Sequence, residues 1–193
     1  MAAGCVCVVS GLPRSGTSLA MGLLQAGGMP VFSDEIRQAD LDNPNGYFEY
    51  AGTRSLQSDN AWVHDSVGKA VKVISPLLRY LPSDLQYRIV FMRRNVREIS
   101  LSQEQMLRRR GQPVGKNSGQ IEEIMRAHID QVETWLSEQR NMSVCYMDYK
   151  WVVGNSVAAS RKLVKFAQLQ GDPAEMAEVV NKSLYRQKVT GGE

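Results

Sequence analysis

Metal ligands are scarce in this chain of 193 residues, which holds two histidines and three cysteines. Cys5, Cys7 and Cys145 fall in strand-like stretches. An odd number without framework spacing reads as reduced thiols of a cytoplasmic protein, not as a disulfide scaffold. Cys5 and Cys7 alternate along one strand with no further ligands beside them, so they read as two small core residues. No apolar run reaches bilayer-spanning length, which argues against a membrane partner. The opening MAAGCVCVV lacks a basic leader segment and reads as a buried strand, not a signal peptide. Charge of one sign is lacking too. A net +3 is too mild for a general nucleic-acid binder and fits a local cationic pocket for a small anion. No repeat or low-complexity segment interrupts the chain, so residues 1–193 read as one domain.

What is present is a regular alternation of elements. Runs rich in Val, Ile, Tyr and Cys predict strands over 5–10, 30–32, 70–75, 87–92 and 143–148. Helices are expected over 16–27, 53–65, 96–109, 119–139, 156–169 and 174–181. Asn95 is an N-cap for the third, and Pro173 opens the last. The fourth carries Ile121, Ile124, Met125, His128, Val132, Trp135 and Leu136 on one stripe. Strands alternating with helices imply an α/β fold with a parallel sheet, whose ligands bind beyond the carboxyl ends of the strands. Residues 40–50 and 108–119 are turn-rich excursions suited to shaping a substrate site together with the rest of 36–66.

The first strand runs into GLPRSGTSL. Gly11 and Gly16 let the backbone wrap an anion, and the following helix aims its free N–H groups at it. A loop for nucleoside triphosphates carries Lys after the second glycine, but here Thr17 stands there. Arg14 offers a planar fork in place of a point charge, and Ser15, Thr17 and Ser18 add hydroxyls. Pro13 shapes the turn. Such a loop suits a ligand with less charge than a triphosphate.

GLPRSGTSL resembles the 5′-phosphosulfate loop of sulfotransferases that use 3′-phosphoadenosine 5′-phosphosulfate (PAPS), in the form with Arg that the Golgi, tyrosine-sulfating and many bacterial branches carry. A second segment, VFMRRNVREISLSQ, is similar to the family's 3′-phosphate site, a strand ending in Arg with a Ser eight positions later, here Arg94 and Ser102. CYMDYKWV is a weaker, third match with a packing and capping role. The resemblance implies a phosphate-loop (P-loop NTPase-like) parallel sheet flanked by helices. It also implies PAPS as co-substrate bound by Pro13 to Ser18, Arg94 and Ser102, no metal, and a small-molecule or peptide acceptor.

The base of the cytosolic branch, a histidine in KTHLP, has Ile74 in its place in KVISP, although Lys72 is kept. Aligned without a gap to the tyrosine-sulfating branch, Glu35 takes the base position and Arg37 follows as a substrate contact. The alternative is that Asp34 and Glu35 cap a helix start after Ser33, and the base reading is preferred. Glu49 and Lys72 are further substrate-contact candidates, and Tyr47 and Phe48 suit a pocket or the core. His64 has no identifiable partner, and His128 lies on a core stripe. Arg186 and Lys188 in SLYRQK read as a solvated tail. Two other readings stay open. One is a nucleotide kinase or NTPase with Asp148 and Ser18 on Mg²⁺, and the other is a non-catalytic nucleotide-binding member of the fold.

Overall fold

The structure is a computed structural model that describes residues 4–34, 36, 40, 43, 46–114, 118–187 and 189. Four parallel strands form one sheet in the order β2-β1-β3-β4. They are β1 (Cys5–Gly11), β2 (Ala70–Lys72), β3 (Gln86–Arg93) and β4 (Met142–Asp148). Six helices are described: α1 (Thr17–Ala26), α2 (Val96–Arg109), α3 (Ser118–Glu138), α4 (Tyr149–Gly154), α5 (Ser156–Ala167) and α6 (Pro173–Ala177). Among the described residues no helix is long and apolar enough to cross a membrane.

Alternation along each strand feeds two cores. Cys7, Val9, Val90, Met92 and Met147 face α1, α5 and α6. Val6, Val8, Ile89 and Phe91 face the other way, towards Trp62, Leu78, Val132 and Leu136. Both faces of β1 are therefore covered, as its unbroken apolar run requires. The cysteines are free and buried, and burial pushes the Cys7 thiol up to about 12.

Several expected elements differ. Residues 30–32 make one bridge, Val31 to Ala70, and no strand. Pro30 O and Phe32 N both bond Ala70, and the chain then leaves the sheet. The strand expected over 70–75 stops at Lys72, because Ser75–Tyr80 turns into a 3₁₀ helix with Pro in its first turn. The helix expected over 53–65 is two 3₁₀ turns, Ala51–Ser55 and Ala61–Ser66. Side chains compete with the backbone there: the Ser58 hydroxyl donates to Ser55 O, and Asp59 accepts from Ala61 N. The last helix ends at Ala177, not 181. α4 was not expected as a helix, being six residues with Val152 and Val153 buried, a run too short to show helical period.

Both histidines have partners. His64 Nε2 lies 2.9 Å from Asp84 Oδ2 on the surface, and its pKa is raised first by that hydrogen bond. His128 is half-buried, as its stripe position suggests, with Nε2 2.9 Å from Ser75 Oγ. Burial, then Arg79, lowers its pKa.

Two outcomes follow. Asn95 accepts from Arg97 N at 2.9 Å and Glu98 N at 3.3 Å. Asn95→Ala should cost about 1 kcal/mol in urea denaturation. An NMR titration of the imidazoles should place His64 above 6.5 and His128 below it, with Asp84→Asn returning His64 towards 6.5. His128 then contributes stability that is full above 6.5 and is lost as pH falls through its folded value, and His64 the reverse, lost as pH rises.

Candidate active site

Three parallel strands end at one cleft of about 370 Å³, lined by the glycine loop, the end of β2, one face of α2 and the C-terminal segment. β1 delivers the loop at Gly11, where φ is 140° and a Cβ would stand 2.6 Å from both Met92 O and Ser15 Oγ. Gly16 has φ 104°, and a Cβ there would lie 2.5 Å from the Tyr149 ring. Only glycine fits either position.

Between them the loop is poorly satisfied. Ser15 is 1% exposed, and its Oγ has no hydrogen-bond partner among the described residues. No side chain caps the start of α1. A buried donor without an acceptor costs about 1–3 kcal/mol, which an anion in the loop would offset. The loop therefore fits a phosphate or sulfate group on the evidence of its own unmet donors.

Arg14 takes the left-handed conformation, φ 71°, rare for a residue with a side chain. Its Nε donates to Ser102 Oγ at 3.0 Å, and Ser102 is buried on the cleft face of α2. Arg94 Nη1 donates to Arg14 O at 3.1 Å. Two motifs about 80 residues apart thus meet directly, at the place the sequence assigned to a single bound molecule.

Arg94 is more engaged than an open anion seat. Its Nε bonds Glu98 Oε2 at 3.0 Å, with both side chains under a tenth exposed, and its Nη2 bonds Gln187 O at 3.2 Å. Its guanidinium carbon stands 4.5 Å above the centre of the Tyr149 ring. Two of its five N–H groups lie outside these contacts. Arg93 points away from the cleft, to Glu133 and over the Tyr146 ring.

Glu98 also gathers the C-terminal segment. Its Oε1 accepts from Tyr185 Oη at 2.7 Å and Val189 N at 3.3 Å. Burial first, then this bond, pushes the Tyr185 phenol up to about 12. The segment is therefore docked through Tyr185 and Gln187, unlike the solvated tail the sequence suggested, and the exposed Arg186 lines the cleft. Lys188 lies outside the described residues.

Lys72 ends β2 and is 8% exposed. Its Nζ donates to Tyr47 O and lies 3.4 Å from Glu49 Oε1, so Lys72 and Glu49 reach the cleft as a pair. Ile74 lines the cleft where a histidine was sought. Glu35 and Arg37 lie outside the described residues. Their neighbour Asp34 starts no helix of its own among the described residues, and reaches instead the first N–H of the Ala51–Ser55 turn. Its carboxylate accepts from Ile36 N and Ala51 N, while its own N–H donates to Glu49 O at 3.1 Å, tying this segment to the one bearing Glu49. Tyr47 is buried, with Oη 2.8 Å from Asp40, and Asn43 Nδ2 donates to Ser18 Oγ at 2.8 Å. His64 does not line the cleft.

Asp148 caps α4 by accepting from Trp151 N at 2.8 Å. Among the described residues no group of three or more His, Cys, Asp or Glu side chains is placed to hold a metal ion. Site residues the sequence reading missed include Met106, Arg109 and Tyr149. The first two repeat at helical spacing from Ser102, a signal that periodicity carries. Tyr149 lies in CYMDYKWV, for which the resemblance implied only packing and capping, and its place at the cleft depends on Arg94 and Gly16 meeting it in space.

No family model and no curated protein matches the chain. Among solved structures, the sulfotransferase domain from the curacin biosynthetic pathway is similar, with a TM-score of 0.53 and 13% identity. The match covers 97% of this chain and 92% of that one. At that identity the likeness is one of fold: the chain has a sulfotransferase-like α/β architecture, a parallel sheet flanked by helices.

Proposed function

We propose that the protein is a sulfotransferase that moves a sulfuryl group from PAPS to a hydroxyl or amine of a small-molecule or peptide acceptor. The observation that supports this reading is the junction of Arg14 with Ser102 and Arg94, which brings the two segments similar to the family's phosphate sites side by side on one cleft. A donor with phosphates on both the 5′ and 3′ sides of adenosine asks for that arrangement. ATP has no 3′ phosphate.

The donor supplies the sulfuryl group and, as leaving group, adenosine 3′,5′-bisphosphate. Loop residues Pro13 to Ser18 hold its 5′ end through backbone N–H groups and the hydroxyls of Ser15, Thr17 and Ser18. Arg14 and Lys72 offset the charge that grows on the bridging oxygen as the sulfur–oxygen bond to phosphate breaks. Ser102 and the remaining N–H groups of Arg94 serve the 3′ phosphate. Glu35 takes the acceptor proton as the new bond to sulfur forms. Its support is the ungapped register from the glycine loop and the anchoring of neighbouring Asp34 beside Glu49. Glu49 and Arg37 are acceptor contacts.

The kinase reading has less behind it. The loop has no lysine, and the Asp148 carboxylate is engaged as a helix cap. A non-catalytic protein of this fold would bind the nucleotide and transfer nothing.

Adenosine 3′,5′-bisphosphate without Mg²⁺ should raise the melting temperature, by an amount corresponding to about 2.7 kcal/mol at a hundred times its Kd. Stabilisation by Mg·ATP alone would instead favour the kinase. With labelled PAPS and a metabolite pool, Arg14→Ala should lower transfer roughly 10²–10³-fold. Glu35→Gln should keep nucleotide affinity and lower turnover roughly 10²–10⁴-fold. Normal turnover in Glu35→Gln would remove Glu35 as the base.

A further inference from the structure

A second cavity, about 230 Å³, shares Ser18 and Leu19 with the cleft and follows α1 past Gly22 to Gln25 and Ala26. Phe48 and Val179 form its other walls. Among the described residues no titratable side chain lines it. Its polar groups are Ser18, at the junction with the cleft, and Gln25, near the opposite end. Leu19, Phe48 and Val179 are partly buried apolar side chains packed on the core, so the groove is an apolar channel opening from the glycine loop.

Gly22 lets Val179 pack close against α1 at the wall of this groove. It sits inside α1 with an ordinary helical φ, so backbone freedom does not explain it. Alanine would favour the helix by roughly 1 kcal/mol. A Cβ at that position would meet Val179 Cγ1 at 3.0 Å, on the groove side of the helix.

We infer that this groove seats the apolar tail of the acceptor, whose hydroxyl or amine reaches the transfer point beside Ser18. The inference rests on the sulfotransferase reading and names its acceptor class: a straight aliphatic chain with a terminal nucleophile. Water in such a channel is displaced favourably by methylene groups. From Ser18 to Ala26 the helix advances about 12 Å. That length holds an extended chain of roughly nine carbons.

The test uses 1-alkanols of increasing length as probes, with calorimetry of binding to the full chain with and without adenosine 3′,5′-bisphosphate. Affinity should rise about fourfold per carbon and level off near nine carbons. Val179→Trp should fill the groove and flatten that slope while nucleotide affinity stays unchanged. Gln25→Glu, an exposed substitution in the last turn of α1, should weaken the longest chains and spare the short ones. A flat slope in the wild type, or a slope that both variants leave intact, overturns the inference even where the nucleotide binds. Alkanol binding with the expected slope but no nucleotide binding contradicts the donor reading, and with it the groove's role as an acceptor seat.

Discussion

The Arg94 guanidinium is the point where four parts of the chain meet. It bonds Glu98 of α2, the Arg14 carbonyl of the glycine loop and the Gln187 carbonyl of the C-terminal segment, and it lies over Tyr149 of α4. A buried ion pair is favourable only when its remaining polar atoms are satisfied. Here Tyr185 and Val189 take the second oxygen of Glu98. Removing either charge would strand the other, at about 3–5 kcal/mol. The pair therefore ties the left-handed Arg14 and the docked tail to the sheet. The shape of the cleft depends on that tie more than on any single loop contact.

Around this hub the cleft has two kinds of wall. One is built from unmet donors, the buried Ser15 hydroxyl and the uncapped start of α1. The other brings Lys72 and Glu49 together at the end of β2, beside the exposed Ile74. An anion belongs on the first wall and a neutral nucleophile beside the second. The proposed sulfuryl transfer would use both. The apolar groove adjoins the cleft at Ser18 and Leu19, where the proposed acceptor tail would lie.

Much of this was legible in the sequence where the signal is local. Gly11 and Gly16 between a strand and a helix announce a tight glycine loop, and Asn95 marks the start of α2 to the residue. The spacing of Arg94 and Ser102 placed both on the cleft. Less legible was what Arg94 would touch. Glu98 lies one helical turn away, but nothing in that spacing tells a buried pair from a solvated one. Tyr185 and Gln187 come about 90 residues later, and the basic, polar stretch around them reads as a tail until the fold supplies its partners. His64 found Asp84 across a loop for the same reason. Between 53 and 65 the apolar pattern suggested a helix, while Ser and Asp side chains drew the backbone into tighter turns.

The central claim is that one cleft holds two anion seats spaced for a single adenosine nucleotide. Calorimetry on the full chain, comparing adenosine 3′,5′-bisphosphate with adenosine 5′-monophosphate and adenosine 3′-monophosphate, tests it most directly. The account predicts that the bisphosphate binds at least about tenfold more tightly than either monophosphate, a difference of roughly 1.4 kcal/mol. Equal affinity for the bisphosphate and one of the monophosphates would mean that only one seat exists, and would contradict the account.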